Sequence, residues 1–121
     1  MANRRAAIAV PEEFAGKLLL ENGDLPAARV ALSAAKAAAP NSFGVDLSLV
    51  QLDISESKLD DAAAKLHTVV SKDPKNSTAY LWLGNLAETK GDHSAAKEQY
   101  RKAVEANPAS ALTKNDPLVL G

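Results

Sequence analysis

The chain has no cysteine, so neither a disulfide framework nor a thiolate zinc site is available to it. Aromatic residues make up only 4% of the 121 positions, which leaves Ala, Leu and Val to build a core at close helix spacing. No apolar run approaches the length needed to cross a bilayer, so no membrane partner is expected. The most suggestive stretch, Ala6 to Val10, follows Arg4 and Arg5 but ends at Pro11 after five residues, too short for the apolar region of a secretory signal. An excess of one charge is also missing. The net charge is −1, with +2 from Arg4 and Arg5 offset by small acidic excesses further on, and no basic field exists to hold a phosphate backbone. Nucleic acid is therefore excluded as the main partner. With 46% apolar and 24% charged residues the composition is that of a soluble globular protein of one domain. It reads as cytoplasmic, or as periplasmic or secreted if a leader has been removed.

What the chain does have is a period. Pro40, Pro74 and Pro108 are 34 residues apart, and windows 9–42, 43–76 and 77–110 fall into register beneath one another. Ala28, Ala62 and Ala96 share a column. So do Leu32, Leu66 and Tyr100; Leu18, Leu52 and Leu86; and Ala35, Val69 and Ala103. These are the expected core columns. Gly16 and Gly84 share a column with Val50, where two helices must cross closely. Gly23 and Gly91 share one with Ser57, where the chain leaves a helix through a left-handed conformation. A period of this length marks stacked helical hairpins.

Local signals place the helices. In the first window Pro11 opens a helix whose apolar face is Phe14, Leu18 and Leu19, and Asn22-Gly23 ends it. Asp24 caps the next, with Leu25 and Pro26 in its first turn, and the helix closes before Pro40. The second window predicts helices near 43–56 and 59–72, joined by Glu56-Ser57-Lys58. That turn lacks both the glycine and the capping aspartate, and is expected to be the least tightly specified of the three. In the third window Ser77 is the candidate cap of a helix reaching Lys90, and a second helix runs from His93 to Ala106 after Gly91-Asp92. Ala109 to Asn115 has room for two further turns before Asp116-Pro117 stops them. The apolar Leu118-Val119-Leu120 remains, to fold back on the last hairpin, to enter a neighbouring molecule, or to play no part.

The third window, through Tyr80, Leu83, Gly84, Ala87, Ala96, Tyr100, Ala103 and Pro108, closely resembles the tetratricopeptide repeat. The first keeps Gly16, Leu19, Ala28, Leu32, Ala35 and Pro40, while the second keeps Leu49, Ala62, Leu66 and Pro74 but carries Val50 and Asp53 at signature positions. The resemblance implies an all-α right-handed superhelical solenoid of three helix-turn-helix hairpins plus a short C-terminal helical segment. Its parts would be an N-terminal extension over 1–8, repeats over 9–42, 43–76 and 77–110, and a capping segment and tail over 111–121.

Catalysis would have to pass through the two histidines. His93 falls in the column of Leu25 and Leu59 and is expected to be a first-turn packing residue, and His67, beside core Leu66, is expected to face solvent. No nucleophile elbow, phosphate-cradling glycine loop or metal-binding histidine pair occurs. The chain is expected to be no enzyme and to need no metal or cofactor. Asp53 stands in the column of Leu19 and Ala87, where an unpartnered carboxylate would be costly, so a cation such as Arg29 or Lys65 is expected to reach it. Tyr80 and Trp82, about 200° apart around a helix, cannot face the same neighbour; Trp82 is either core or a binding anchor.

In tetratricopeptide arrays the first helix of each hairpin lines the concave face. By register these positions are Glu13, Lys17, Leu20 and Glu21; then Leu47, Gln51, Ile54 and Ser55; then Leu81, Asn85, Glu88 and Thr89. Family members that grip the terminal carboxylate of chaperone tails use a ring of Lys, Asn and Arg there. Lys17 and Asn85, opposed by Glu13, Glu21 and Glu88, do not make such a ring. Leu20, Leu47, Ile54 and Leu81 with polar Lys17, Gln51 and Asn85 beside them suit instead a partner protein's peptide or helix with apolar anchors. The competing expectation is self-association, a homo-oligomer formed through an incompletely capped C-terminal end.

Overall fold

The computed structural model describes residues 12–108, and the side chains from Glu13 onward. Six helices occupy these residues, with no strand among them: α1 (Glu12–Glu21), α2 (Leu25–Ala38), α3 (Phe43–Ser55), α4 (Leu59–Lys72), α5 (Ser77–Thr89) and α6 (His93–Ala106). The all-α class and the helix limits agree with the pattern in the sequence. Pro11, the segment 109–115 and the Leu118–Leu120 tail lie outside the described residues.

The chain divides after Lys58 into two compact units, so that α1, α2 and α3 belong to the first and α4, α5 and α6 to the second. In the first unit, Ala28, Leu32 and Ala35 of α2 form one buried cluster with Val45, Leu49 and Leu52 of α3, and Leu19, Leu20 and Leu25 pack against it. In the second unit Ala62, Leu66 and Val69 of α4, Ala79, Leu83 and Leu86 of α5, and Ala96 and Ala103 of α6 are buried. The small columns allow the close crossings. A Cβ on Gly16 would come within 2.5 Å of the Leu32 side chain, and one on Gly84 within 2.4 Å of the Tyr100 ring. Both partners come from one column, so the same solution is used twice.

Three turns, Gly23, Ser57 and Gly91, share one geometry. The N–H groups of Asp24, Lys58 and Asp92 donate to the carbonyls of Leu19, Asp53 and Ala87 at 2.9, 2.7 and 2.8 Å, the pattern of a Schellman stop. The residue before each has positive φ: Gly23 at +83°, Ser57 at +62° and Gly91 at +82°. Asp24 caps α2 and Asp92 caps α6 by accepting from Ala27 N and Ala95 N. After Ser57 the first turn of α4 carries Asp60 and Asp61, whose charge suits the positive end of the helix dipole.

Three expectations need correction. Leu18 is 49% exposed and Phe14 58%, although the Leu18 column is buried at Leu52 and Leu86. Leu52 is covered by α2, and Leu86 shares a cleft with Ala63 and His67 of α4. No helix precedes α1 among the described residues to do the same. The cap of α5 is Asn76, whose Oδ1 accepts from Ala79 N at 3.0 Å, and Ser77 is the first helical residue instead. His93 does not pack as Leu25 does: its side chain is 78% exposed and its Nδ1 contacts Glu88 Oε1. The position opposite it holds a carboxylate where the first unit has Leu20, so the imidazole finds a polar partner at the surface. His67 is exposed, as expected.

Candidate functional site

The positions selected by register lie on α1, α3 and α5. On α1, Lys17 and Glu21 are exposed and Glu13 is half-buried, with a carboxylate oxygen close enough to Gly44 that a Cβ there would meet it at 2.5 Å. Leu20 is partly absorbed into the core, packed against the α2–α3 cluster. On α3, Leu47, Gln51 and Ile54 are half-buried and Ser55 is exposed. On α5, Leu81, Asn85, Glu88 and Thr89 are all exposed, whereas Ala79, Leu83 and Leu86 on its other side are buried. Tyr80 and Trp82 are both half-buried.

The α5 positions are organised by α6. Tyr100 Oη donates to Asn85 Oδ1 at 2.7 Å, which fixes the amide, and Glu88 contacts His93. The Thr89 hydroxyl donates to the Asn85 carbonyl at 3.0 Å and so turns its polar group back onto the helix. Glu88, His93, Ser94, Lys97 and Tyr100 line a hollow of about 350 Å³. Burial and the nearby Glu88 charge push the Tyr100 hydroxyl above its ordinary pKa, keeping it a neutral donor. Sequence reasoning did not single out Tyr100 or His93 as neighbours of this surface. The available signal was their columns, since Leu20, Leu25 and Leu32 stand 68 residues earlier at the places of Glu88, His93 and Tyr100.

A second polar constellation lies in the first unit. Asp53 is 1% exposed, and Arg29 Nη2 donates to its Oδ1 at 2.9 Å and to Glu56 Oε1 at 2.8 Å. Lys58 Nζ is 3.3 Å from the same Glu56 oxygen. The bond from Arg29, assisted by Lys58, holds Glu56 below the usual carboxylate range, and the two carboxylates raise the Arg29 pKa. The arrival of Arg29 at Asp53 is the answer expected of a buried acid in that column, and it is structural chemistry: all three charges are engaged with one another. Among the described residues no group of histidines, cysteines and carboxylates is arranged to hold a metal ion. No described helix is long and apolar enough to cross a membrane.

Helix pairs joined by tight turns, a 34-residue step in the sequence and close crossings at Gly16 and Gly84 agree with a comparison against known families, in which the tetratricopeptide repeat matches residues 47–111, more than half of the chain. The chain belongs to the tetratricopeptide repeat family. Among curated proteins none matches it closely enough to serve as a relative. Tetratricopeptide repeats generally mediate protein–protein interaction and are generally not enzymes. The match begins inside α3 and runs past α6, which is where the third window carries its fullest signature.

Proposed function

We propose that the protein is a non-enzymatic interaction scaffold whose three hairpins, over 9–42, 43–76 and 77–110, wind as a right-handed superhelical solenoid and bind a peptide or helix of a partner protein in the concave groove. The groove would be lined by the register positions on α1, α3 and α5. The observation that carries this reading is the two-sidedness of α5. Its Leu83 side is closed into the core, yet Leu81, 37% exposed, stands among accessible Asn85, Glu88 and Thr89. An accessible leucine bordered by hydrogen-bonding groups is what a peptide with apolar anchors requires. Lys17 and Gln51 supply comparable groups on α1 and α3.

Self-association through the C-terminal end is the weaker reading. The columns that receive the following helix in the first unit are Leu20, Leu25 and Leu32, and at the far end of the second unit they are Glu88, His93 and Tyr100. Charged and hydroxyl-bearing side chains at these columns offer a stacking copy less apolar area than the leucines of the first unit would. The test is comparative capture of partners by the unaltered chain and by Lys17→Ala/Gln51→Ala/Asn85→Ala, with circular dichroism showing both folded. The triple variant is expected to lose the partners held by the unaltered chain; recovery of the same set by both would place recognition elsewhere. Light scattering over a concentration series, with and without residues 117–121, tests the second reading.

A further inference from the structure

A cleft of about 160 Å³ in the second unit is lined by Ala63 of α4, Ala87 and Lys90 of α5, and Ala95 and Gln99 of α6, with buried Leu83 and Leu86 beside them. The residues 34 places before Ala63, Ala87 and Lys90 are Arg29, Asp53 and Glu56, the ion cluster of the first unit. There a guanidinium lies against a carboxylate; in the second unit the same two columns carry methyl groups, and the space is open. At the place of Glu56 the charge is reversed. The cleft also holds an acceptor without a donor. Gln99 Oε1 is buried from solvent and accepts no hydrogen bond from any described residue. An amide oxygen in that state is costly until a donor reaches it.

These features select an occupant. A volume of about 160 Å³ suits one aliphatic side chain, since an apolar cavity of about 150 Å³ takes up a benzene molecule. The lining carries one acid and one lysine, but Asp92 is engaged as the cap of α6, its Oδ1 accepting from Ala95 N at 3.1 Å. Lys90 Nζ pairs with Asp60, whose side chain is 92% exposed. An ion pair with so exposed a partner is weakly held, so an incoming carboxylate can replace it at little cost. An apolar side chain, an N–H and a carboxylate side by side are what a peptide chain supplies. We propose that the cleft is a second binding site, for a segment of a partner protein in which a leucine or similar aliphatic residue is followed by an acidic one. The aliphatic side chain lies over Ala63 and Ala87, its own main-chain N–H donates to Gln99 Oε1, and the following carboxylate meets Lys90. None of the register positions named on α1, α3 and α5 lines this cleft, so either site can fail without the other.

The test is a titration of the full, isotope-labelled chain with the capped dipeptide acetyl-Leu-Glu-amide, to about 10 mM, followed by the backbone amide resonances. Saturable shifts are expected at Ala63, Ala87 and Ala95. Affinity should fall about tenfold for acetyl-Ala-Glu-amide, which loses most of the apolar area, and about threefold for acetyl-Leu-Gln-amide, which loses an exposed ion pair. Lys90 is itself exposed, so Lys90→Glu leaves the fold intact and should invert the preference, with acetyl-Leu-Lys-amide binding more tightly than acetyl-Leu-Glu-amide. Gln99→Met keeps the side-chain length without the acceptor and should weaken acetyl-Leu-Glu-amide severalfold. No saturable shift, equal affinity for the Leu-Glu and Leu-Gln probes, shifts centred on Leu81 and Asn85 instead, a charge preference unchanged by Lys90→Glu, or an affinity indifferent to Gln99→Met would each overturn the proposal.

Discussion

Arg29 and Ala63 occupy the same place in the repeat, and the chemistry around them runs in opposite directions. In the first unit a guanidinium ties α2 to the buried Asp53 and to Glu56 at the end of α3. In the second, the corresponding helices meet across alanines, with a lysine where the glutamate stood. The helices nevertheless keep the same register. What sets that register is shared by both units: Ala28, Ala62 and Ala96 are each buried, and Gly16 and Gly84 each lie directly against the residue of one column. Small side chains at the crossings fix how closely helices approach, and dense packing there leaves little freedom. The polar position beside them can then vary, as an ion cluster in one unit and an open cleft in the other.

The largest expected effect comes from breaking that cluster. Arg29→Met leaves a carboxylate buried at 1% exposure without its guanidinium. Withdrawing the charge-assisted hydrogen bonds of this part-exposed arginine costs about 2.5 kcal/mol, to be read from chemical denaturation. Asp53→Leu on top of it should recover most of the loss, because the position is leucine in the first window and alanine in the third. The same changes sharpen the pH response. Glu56 has its folded pKa depressed by Arg29, so its contribution is present above the ordinary carboxylate range and is lost as pH falls through the lowered value. Asp60, held low by Lys90, acts in the same direction in the second unit. The unaltered protein should therefore lose stability in acid, below about pH 4, and Arg29→Met should show a shallower loss. A denaturation midpoint with the same acid dependence in both would mean that the cluster contributes nothing beyond packing.

A crossing is the next place to intervene. Gly16→Ala puts a methyl group into Leu32, which is fully buried and has nowhere to go, and is expected to cost about 2 kcal/mol of overpacking net of the better helix propensity of alanine. Gly84→Ala meets Tyr100 at least as closely, but that ring borders an open hollow and can swing outward. Its cost should be about 1 kcal/mol, mostly the Tyr100–Asn85 bond. Equal costs at the two glycines, measured by urea denaturation, would show that the hollow gives the tyrosine no freedom.

The features legible in the sequence were those carried by column chemistry. The 34-residue step, the helix limits, the small crossings and the buried Asp53 with its arginine all follow from residue type at fixed offset. Features that depended on a neighbouring helix were harder to see. Leu18 shares a column with two buried leucines and is exposed for want of a covering helix among the described residues. His93 shares a column with two leucines, yet its fate was decided by Glu88 across the hairpin. The register positions on α1 and α5 divide in the same way. Lys17 and Asn85 are accessible, while Leu20 leans on the core cluster. A column states what a position tolerates, and only the facing helix states what the side chain does there.

The smallest effect concerns the turns, where the two units can be made alike. Ser57 adopts φ +62° in the same Schellman geometry that Gly23 and Gly91 enter without steric penalty. A side chain in the left-handed region costs about 1 kcal/mol, and glycine there gives back part of the gain through its greater freedom in the unfolded chain. Ser57→Gly should accordingly stabilise the protein by about 0.5 kcal/mol. A thermal melt would show a rise of a few degrees. Ser57→Ala keeps the Cβ and removes only the hydroxyl, so it separates the backbone effect from any side-chain contribution. If alanine stabilises as much as glycine, the left-handed conformation is not what the turn is working against.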